Sequence, residues 1–153
     1  MRRLLLIPVL TLFATPMLFA QGSTPKPGTL EWGPAPAGFP RGAQMALISG
    51  DPARPGAFRI QLKMPDGYRI PPHFHTSEEN IQVKQGTFLV GMGDVFDASK
   101  TRAMKPGEEG TVPANGHHFA QAQGETIVSV AAIGPFAMTY INPPDDPRKS
   151  ARP

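Results

Sequence analysis

The chain of 153 residues contains no cysteine, one tryptophan and two tyrosines, and only 18% of it is charged. Without thiols no disulfide can brace the fold, and any metal has to be held by imidazole or carboxylate. There is no glycine-rich phosphate loop and no serine on a strand-to-helix elbow, so the usual marks of nucleotide binding and of serine-type acyl transfer are missing. The most apolar stretch, near the start, is interrupted by Pro8 and Pro16, whereas a membrane-spanning helix needs about 20 apolar residues in a row. Proline and glycine are plentiful instead, 19 and 16, and both ends of the chain are rich in proline.

The first twenty residues, MRRLLLIPVLTLFATPMLFA, place two arginines before an apolar run and end on the small residue Ala20. That is the layout of a secretory signal peptide, so residues 1–20 are expected to be cleaved after Ala20 and the protein to be periplasmic or secreted. Leu18 is larger than the residue usually preferred three positions before such a cut. Cleavage removes Arg2 and Arg3, leaving 13 basic against 12 acidic residues, a net charge of +1. No basic field remains for nucleic acid, and none for an anionic membrane after cleavage. Residues 21–153 amount to one domain. Within it, 21–41 reads as an extended arm rich in Pro and Gly, strand-like at 29–32; 42–142 as a β-domain; and 143–153 as a flexible, proline-broken tail.

The middle of the chain has the period of two that marks a strand with one buried face. In FRIQLKM, Phe58, Ile60, Leu62 and Met64 alternate with Arg59, Gln61 and Lys63, and PDG follows as a turn. NIQVKQ and GTFLVGM read as two strands about a turn at Gln85 and Gly86; TIVSVAAI, FAMTYIN and residues 44–49 supply three more. Only residues 95–104 suggest a helical turn. Short strands punctuated this often predict an all-β sandwich or small barrel.

One stretch carries chemistry, PPHFHTSEENIQVKQG at residues 71–86. Side chains two apart on a strand share a face, so His73 and His75 point together while Phe74 points away. Parity with Ile81 and Val83 puts Glu79 on the inward face and Glu78 outside. A carboxylate set above a β-core is costly unless paired or metal-bound. Further on, NGHHFAQAQ offers His118, in phase with Ala120 and Ala122, although Phe119 competes for the interior; His117 falls outside.

These residues resemble the cupins. A glycine, five residues, HxH, three residues, Glu, six residues and a glycine form the first cupin motif, met here by Gly67, His73, His75, Glu79 and Gly86. The second motif is met by Gly107, Pro113 and His118, with Asn115 where a glycine belongs and Ala122 where an asparagine belongs. The chain thus resembles small, exported, single-domain cupins of unknown function. The resemblance implies an antiparallel β-barrel of jelly-roll type, with His73, His75, His118 and Glu79 holding a divalent metal at its mouth. It also implies pairing of two copies through an N-terminal strand.

Three imidazoles and a carboxylate would accept Fe, Mn, Zn, Ni or Cu, so residue type leaves the transition metal open. Near the site by sequence stand Phe74, Met92, Phe119, Met138 and Tyr140, an apolar set suited to a small, weakly polar ligand, with Tyr68, Glu78, Gln82 and Gln121 as polar candidates. Two function classes follow: a metal-dependent enzyme, dioxygenase-like or an isomerase, and a non-catalytic periplasmic module binding a ligand or holding a structural metal. Because imidazoles bind metal only when deprotonated, affinity is expected to fall below about pH 6.5.

Overall fold

A computed structural model describes residues 30–150. The expected signal peptide, residues 21–29 of the arm and residues 151–153 lie outside the described residues. In chain order the strands are β1 Gly33–Pro34, β2 Gln44–Ser49, β3 Gly56–Met64, β4 Arg69–Phe74, β5 Glu79–Met92, β6 Arg102–Met104, β7 Glu109–Val112, β8 His118–Gly134 and β9 Thr139–Tyr140. They form one antiparallel sheet of 9 strands, curled into a barrel. The expected all-β class is therefore what the chain adopts.

The spine of the sheet is β8. From Thr126 onward it pairs with β3 on one side and with the start of β5 on the other, where Glu79 faces Ala132. Its first residues pair instead with β4, His73 facing His118, and with the end of β5, Met92 facing His118. The inward residues of this curved sheet, among them Ile60, Leu62, Met64, Ile81, Val83, Val128 and Val130, form the buried core. Each such side chain contributes about 1.5–3 kcal/mol when taken fully out of water.

TIVSVAAI is the second half of a longer strand, β8, and NIQVKQ and GTFLVGM, which read as two strands, run through as one, β5. The reason lies at Gly86, which adopts φ +72° while the register against β8 slips on either side of Gln85. A left-handed glycine absorbs an extra residue as a bulge, so the strand bends without reversing. Residues 95–104 hold a single 3₁₀ turn, Ala98–Lys100, capped by the Asp97 carboxylate accepting from Ser99 N at 3.0 Å, and then β6.

At the start, the strand expected over residues 29–32 is displaced to β1, where Gly33 faces Met45 and Pro34 faces Gln44. Trp32 lies outside the ladder, its ring beneath the Lys63 ammonium, 4.5 Å away. Pro34 has no N–H to give, and an outermost strand tolerates that. At the other end, the described part of the tail expected to be flexible carries two short turns. Residues Pro143–Asp145 form a 3₁₀ turn and Pro147–Ser150 one helical turn, α1. Arg148 draws them back onto the barrel, donating to both carboxylate oxygens of Asp146 at 2.7 and 2.8 Å and to Met138 O at 3.0 Å. No helix among the described residues is long and apolar enough to cross a membrane.

Asn115 is the one non-glycine residue with positive φ among those described, at 60°. It therefore takes up the backbone shape of the glycine it replaces in the second motif, and asparagine is among the few L-residues that do so readily. The turn stays intact: Asn115 N donates to His75 O at 2.7 Å and Gly116 N to Pro113 O at 2.9 Å. Asn115→Gly is expected to leave urea-unfolding stability nearly unchanged, whereas Asn115→Val should cost about 1–2 kcal/mol, the penalty of left-handed backbone for a residue with a Cβ.

Candidate metal centre

Pro71 and Pro72 cannot donate to a ladder, and the β4 register against β8 slips between Ile70 and His73. Beyond that slip His73 lies between two strands, facing His118 on β8 and Tyr140 on β9. His73, His75 and His118 are buried, 2%, 3% and 3% exposed, and Glu79 is 8% exposed. One ring nitrogen of each histidine lies within 4.8 Å of the others. Glu79 Oε2 is 3.2 Å from His118 Nε2 and 3.7 Å from His75 Nε2. The parity read from the sequence is the parity observed: Glu79 faces in and Glu78 is exposed.

Each ring is turned by a backbone carbonyl. His73 Nδ1 is 2.8 Å from Pro71 O, His75 Nδ1 is 2.9 Å from Ala137 O, and His118 Nδ1 is 2.9 Å from Gly116 O. A carbonyl can only accept, so each Nδ1 carries a proton, and in the neutral form of the ring Nε2 is left with a bare lone pair. Glu79 Oε2 is buried with no hydrogen-bond partner. The cavity around these groups is lined otherwise by Phe39, Ile60, Leu62, Phe136, Met138 and further apolar side chains, with no side-chain donor among them. Four acceptors thus face one another across a donor-free space. A shared proton would satisfy one pair of them; a cation would satisfy all four, which is how these residues fit a divalent ion.

Burial holds the proton affinity of two of the rings down. His73 lies well below the ordinary value of 6.5, through desolvation first and then the neighbouring His118 and His75, opposed by its bond to Pro71 O. His75 is also lowered, by desolvation, although Glu79 pulls the other way. In the folded state protons therefore compete for these nitrogens only at a pH below 6.5, and the midpoint of metal release should lie lower than a free imidazole implies. For the metal-free protein the sign follows from the unfolded chain taking up protons first: stability is whole above about 6.5 and declines as pH falls toward the lowered native values. Metal release followed with a chromophoric chelator, together with denaturation midpoints between pH 7.5 and 5, checks both; a release midpoint at or above 6.5 would contradict this environment.

Several neighbours by sequence are not neighbours in space. Of the apolar candidates only Met138 lines the cavity. Phe74 stacks on His117 outside, at 5.3 Å between centroids; Met92 is exposed; and Phe119 packs against Phe96. Tyr68 and Tyr140 donate their hydroxyls to Pro40 O and Gly38 O, at 2.5 and 2.7 Å. Gln82 donates to Glu109, Gln121 accepts from Arg69, and Glu78 accepts from Asn80, all on the surface. His117 stands outside as its parity predicts, its Nδ1 2.5 Å from Asp94 Oδ1. The pattern missed Phe39, which comes from an irregular segment without periodicity, and Phe136, because the strand expected over FAMTYIN shortens to β9, Thr139–Tyr140, and leaves Phe136 outside it. Phe136 lies flat on the His75 ring, 4.0 Å between centroids, and meets Phe58 edge-on.

Compared by sequence, the chain matches no family model and no curated protein. Compared by structure, it is similar to an RmlC-like cupin from Shewanella frigidimarina, with TM-score 0.53 and 15% identity over 68% of this chain and 83% of that one. It is similar also to the polyketide cyclase RemF from Streptomyces resistomycificus, with TM-score 0.56 and 20% identity over 72% and 80%. A third likeness is to a salicylate 1,2-dioxygenase variant from Pseudoaminobacter salicylatoxidans in complex with gentisate, with TM-score 0.53 and 15% identity over 64% of this chain but 29% of that one.

Proposed function

Because the chain has the cupin fold, we propose that it is an exported protein binding one divalent transition metal through Nε2 of His73, His75 and His118 and the carboxylate of Glu79. The observation that carries this reading is the ring of acceptors: three imidazoles fixed by backbone carbonyls with bare nitrogens inward, and a buried Glu79 oxygen with no partner. When bound, such an ion supplies Lewis acidity or a site for oxygen activation at its remaining positions.

The surrounding residues favour oxidative chemistry of dioxygenase type on a small, weakly polar molecule. No cavity-lining side chain outside the four proposed ligands can give or take a proton, which leaves an isomerase without a separate acid or base. Nor does any Arg or Lys line the space, so a sugar phosphate would meet no counter-charge. A likeness in fold to a dioxygenase supports this class without naming the substrate. A second reading, a non-catalytic module with a resident metal, is favoured by the small size of the cavity, about 30 Å³. Two copies are proposed to pair along β1, the outermost strand on its side of the sheet.

Elemental analysis of the protein purified from the exported fraction, followed by an oxygen electrode with small, weakly polar substrates, tests the proposal. Stoichiometric Fe or Mn with oxygen uptake supports the enzyme; stoichiometric metal without turnover supports the binding module. A protein that takes up no divalent ion at neutral pH overturns both.

A further inference from the structure

The cavity beside the four acceptors is about 30 Å³, while one water occupies about 10–15 Å³ of such space. An ion and one or two small molecules fill it. Nearly all of its lining residues are buried, Met138 at 8% and Ile60 at 3% exposure among them; only Phe39 and Phe136 are partly exposed. These two rings are therefore the wall between the site and solvent.

They are held differently. Phe136 is stacked on His75 and braced by Phe58, with its N–H donating to Pro52 O at 2.8 Å. Phe39 belongs to no strand. It sits in a turn closed by its own N–H donating to Pro36 O at 2.9 Å, and the residues on either side are tied down by one tyrosine each. Gly38 O accepts from Tyr140 and Pro40 O from Tyr68. Burial raises the pKa of both phenols above its ordinary value, so both remain protonated donors.

We infer that Phe39 is the specificity-determining residue of this pocket: a ring strapped across the barrel mouth that admits ligands of two or three heavy atoms to the metal and excludes aromatic ones until the strap moves. The inference rests on the metal reading above. A turn held by two hydroxyl bonds is the part of the wall that can lift without disturbing a proposed ligand, whereas moving Phe136 would strip His75 of its stacking partner.

The test uses the full-length chain loaded with Co(II), as wild type, Phe39→Ala and Tyr68→Phe. Azide binding is followed in the cobalt visible bands, and 4-nitrocatechol binding by the shift of its own absorption. Wild type should bind azide and largely exclude 4-nitrocatechol. Phe39→Ala should tighten 4-nitrocatechol by about tenfold or more, since steric exclusion is what it removes, while azide affinity changes little. Tyr68→Phe keeps its ring and loses one strap bond, so it should speed 4-nitrocatechol association and guards against a collapsed alanine variant. Equal 4-nitrocatechol affinity in all three cobalt-loaded proteins overturns the gate and leaves the metal site standing; failure to take up cobalt overturns the metal reading and the gate together.

Discussion

Glu79→Gln is expected to weaken metal binding and strengthen the metal-free protein at once. The carboxylate of Glu79 has one oxygen buried without a partner, 3.2 Å from a histidine nitrogen that also carries a lone pair. Two acceptors at that distance repel unless a cation lies between them. Glutamine has the same shape but brings an N–H that can donate to His118 Nε2, in place of an oxygen that has no partner. Metal-free stability should rise by about 1–3 kcal/mol, the usual cost of an unpaired buried polar group. Metal affinity should fall more than about 100-fold, because even the partners that merely orient metal ligands are worth about 10–100-fold. The measurement is a pair of melting curves, with chelator and with saturating metal. Wild type should gain stability from metal by mass action, and the variant should start higher and gain little. A Glu79→Gln protein less stable than wild type under chelator would mean that a proton or another donor already satisfies the carboxylate. His75→Ala should also lose metal but without the stability gain, since it takes away the ring on which Phe136 lies.

The second large effect belongs to Gly86→Ala. At φ +72° an added Cβ pays the left-handed penalty, about 1–2 kcal/mol. Here it would also clash with Glu125 O and come within 2.9 Å of Thr126 Cα, backbone atoms of the neighbouring strand that cannot turn aside. Overpacking of that kind costs about a further 1–3 kcal/mol. A loss of several kcal/mol should lower the melting temperature by roughly 10 °C or more. Metal content per folded molecule should stay near wild type, since Gly86 lies well along β5 from Glu79 and bends the strand without touching a proposed ligand. Unchanged stability would show that β5 and β8 can slide apart at the bulge.

What could be read from residues alone was whatever depends on alternation. His73, His75 and Glu79 are on one face with Ile81 and Val83 because a strand has period two, and the short bend at Thr76 and Ser77 preserves that phase. The position of His118 was legible for the same reason, even though buried Phe119 stands beside it on the opposite face of β8. Where parity stops, so did the reading. Gly86 looks like a turn in sequence, and only pairing with β8 distinguishes a bulge from a reversal. Phe39 and Phe136 sit on segments whose course is set by hydrogen bonds to distant residues, Tyr140 to Gly38 and Phe136 to Pro52 among them. The contacts of the tail were not legible either, since its charges look solvated in sequence, whereas Arg148 donates to Asp146 two residues away and to Met138 O beside β9.

The double allegiance of β8 has a kinetic consequence. His118 reaches the other three side chains only after β8 has zipped onto both β4 and β5, and pairings between such distant parts of a chain are slow to nucleate because loop closure comes before the reward. An ion arriving earlier meets an incomplete set of donors and cannot act as the seed of the barrel. Its stabilisation is then absent from the transition state and appears on the return journey, in the rate at which a loaded barrel comes apart. Metal should lengthen the lifetime of the finished molecule far more than it hastens its making.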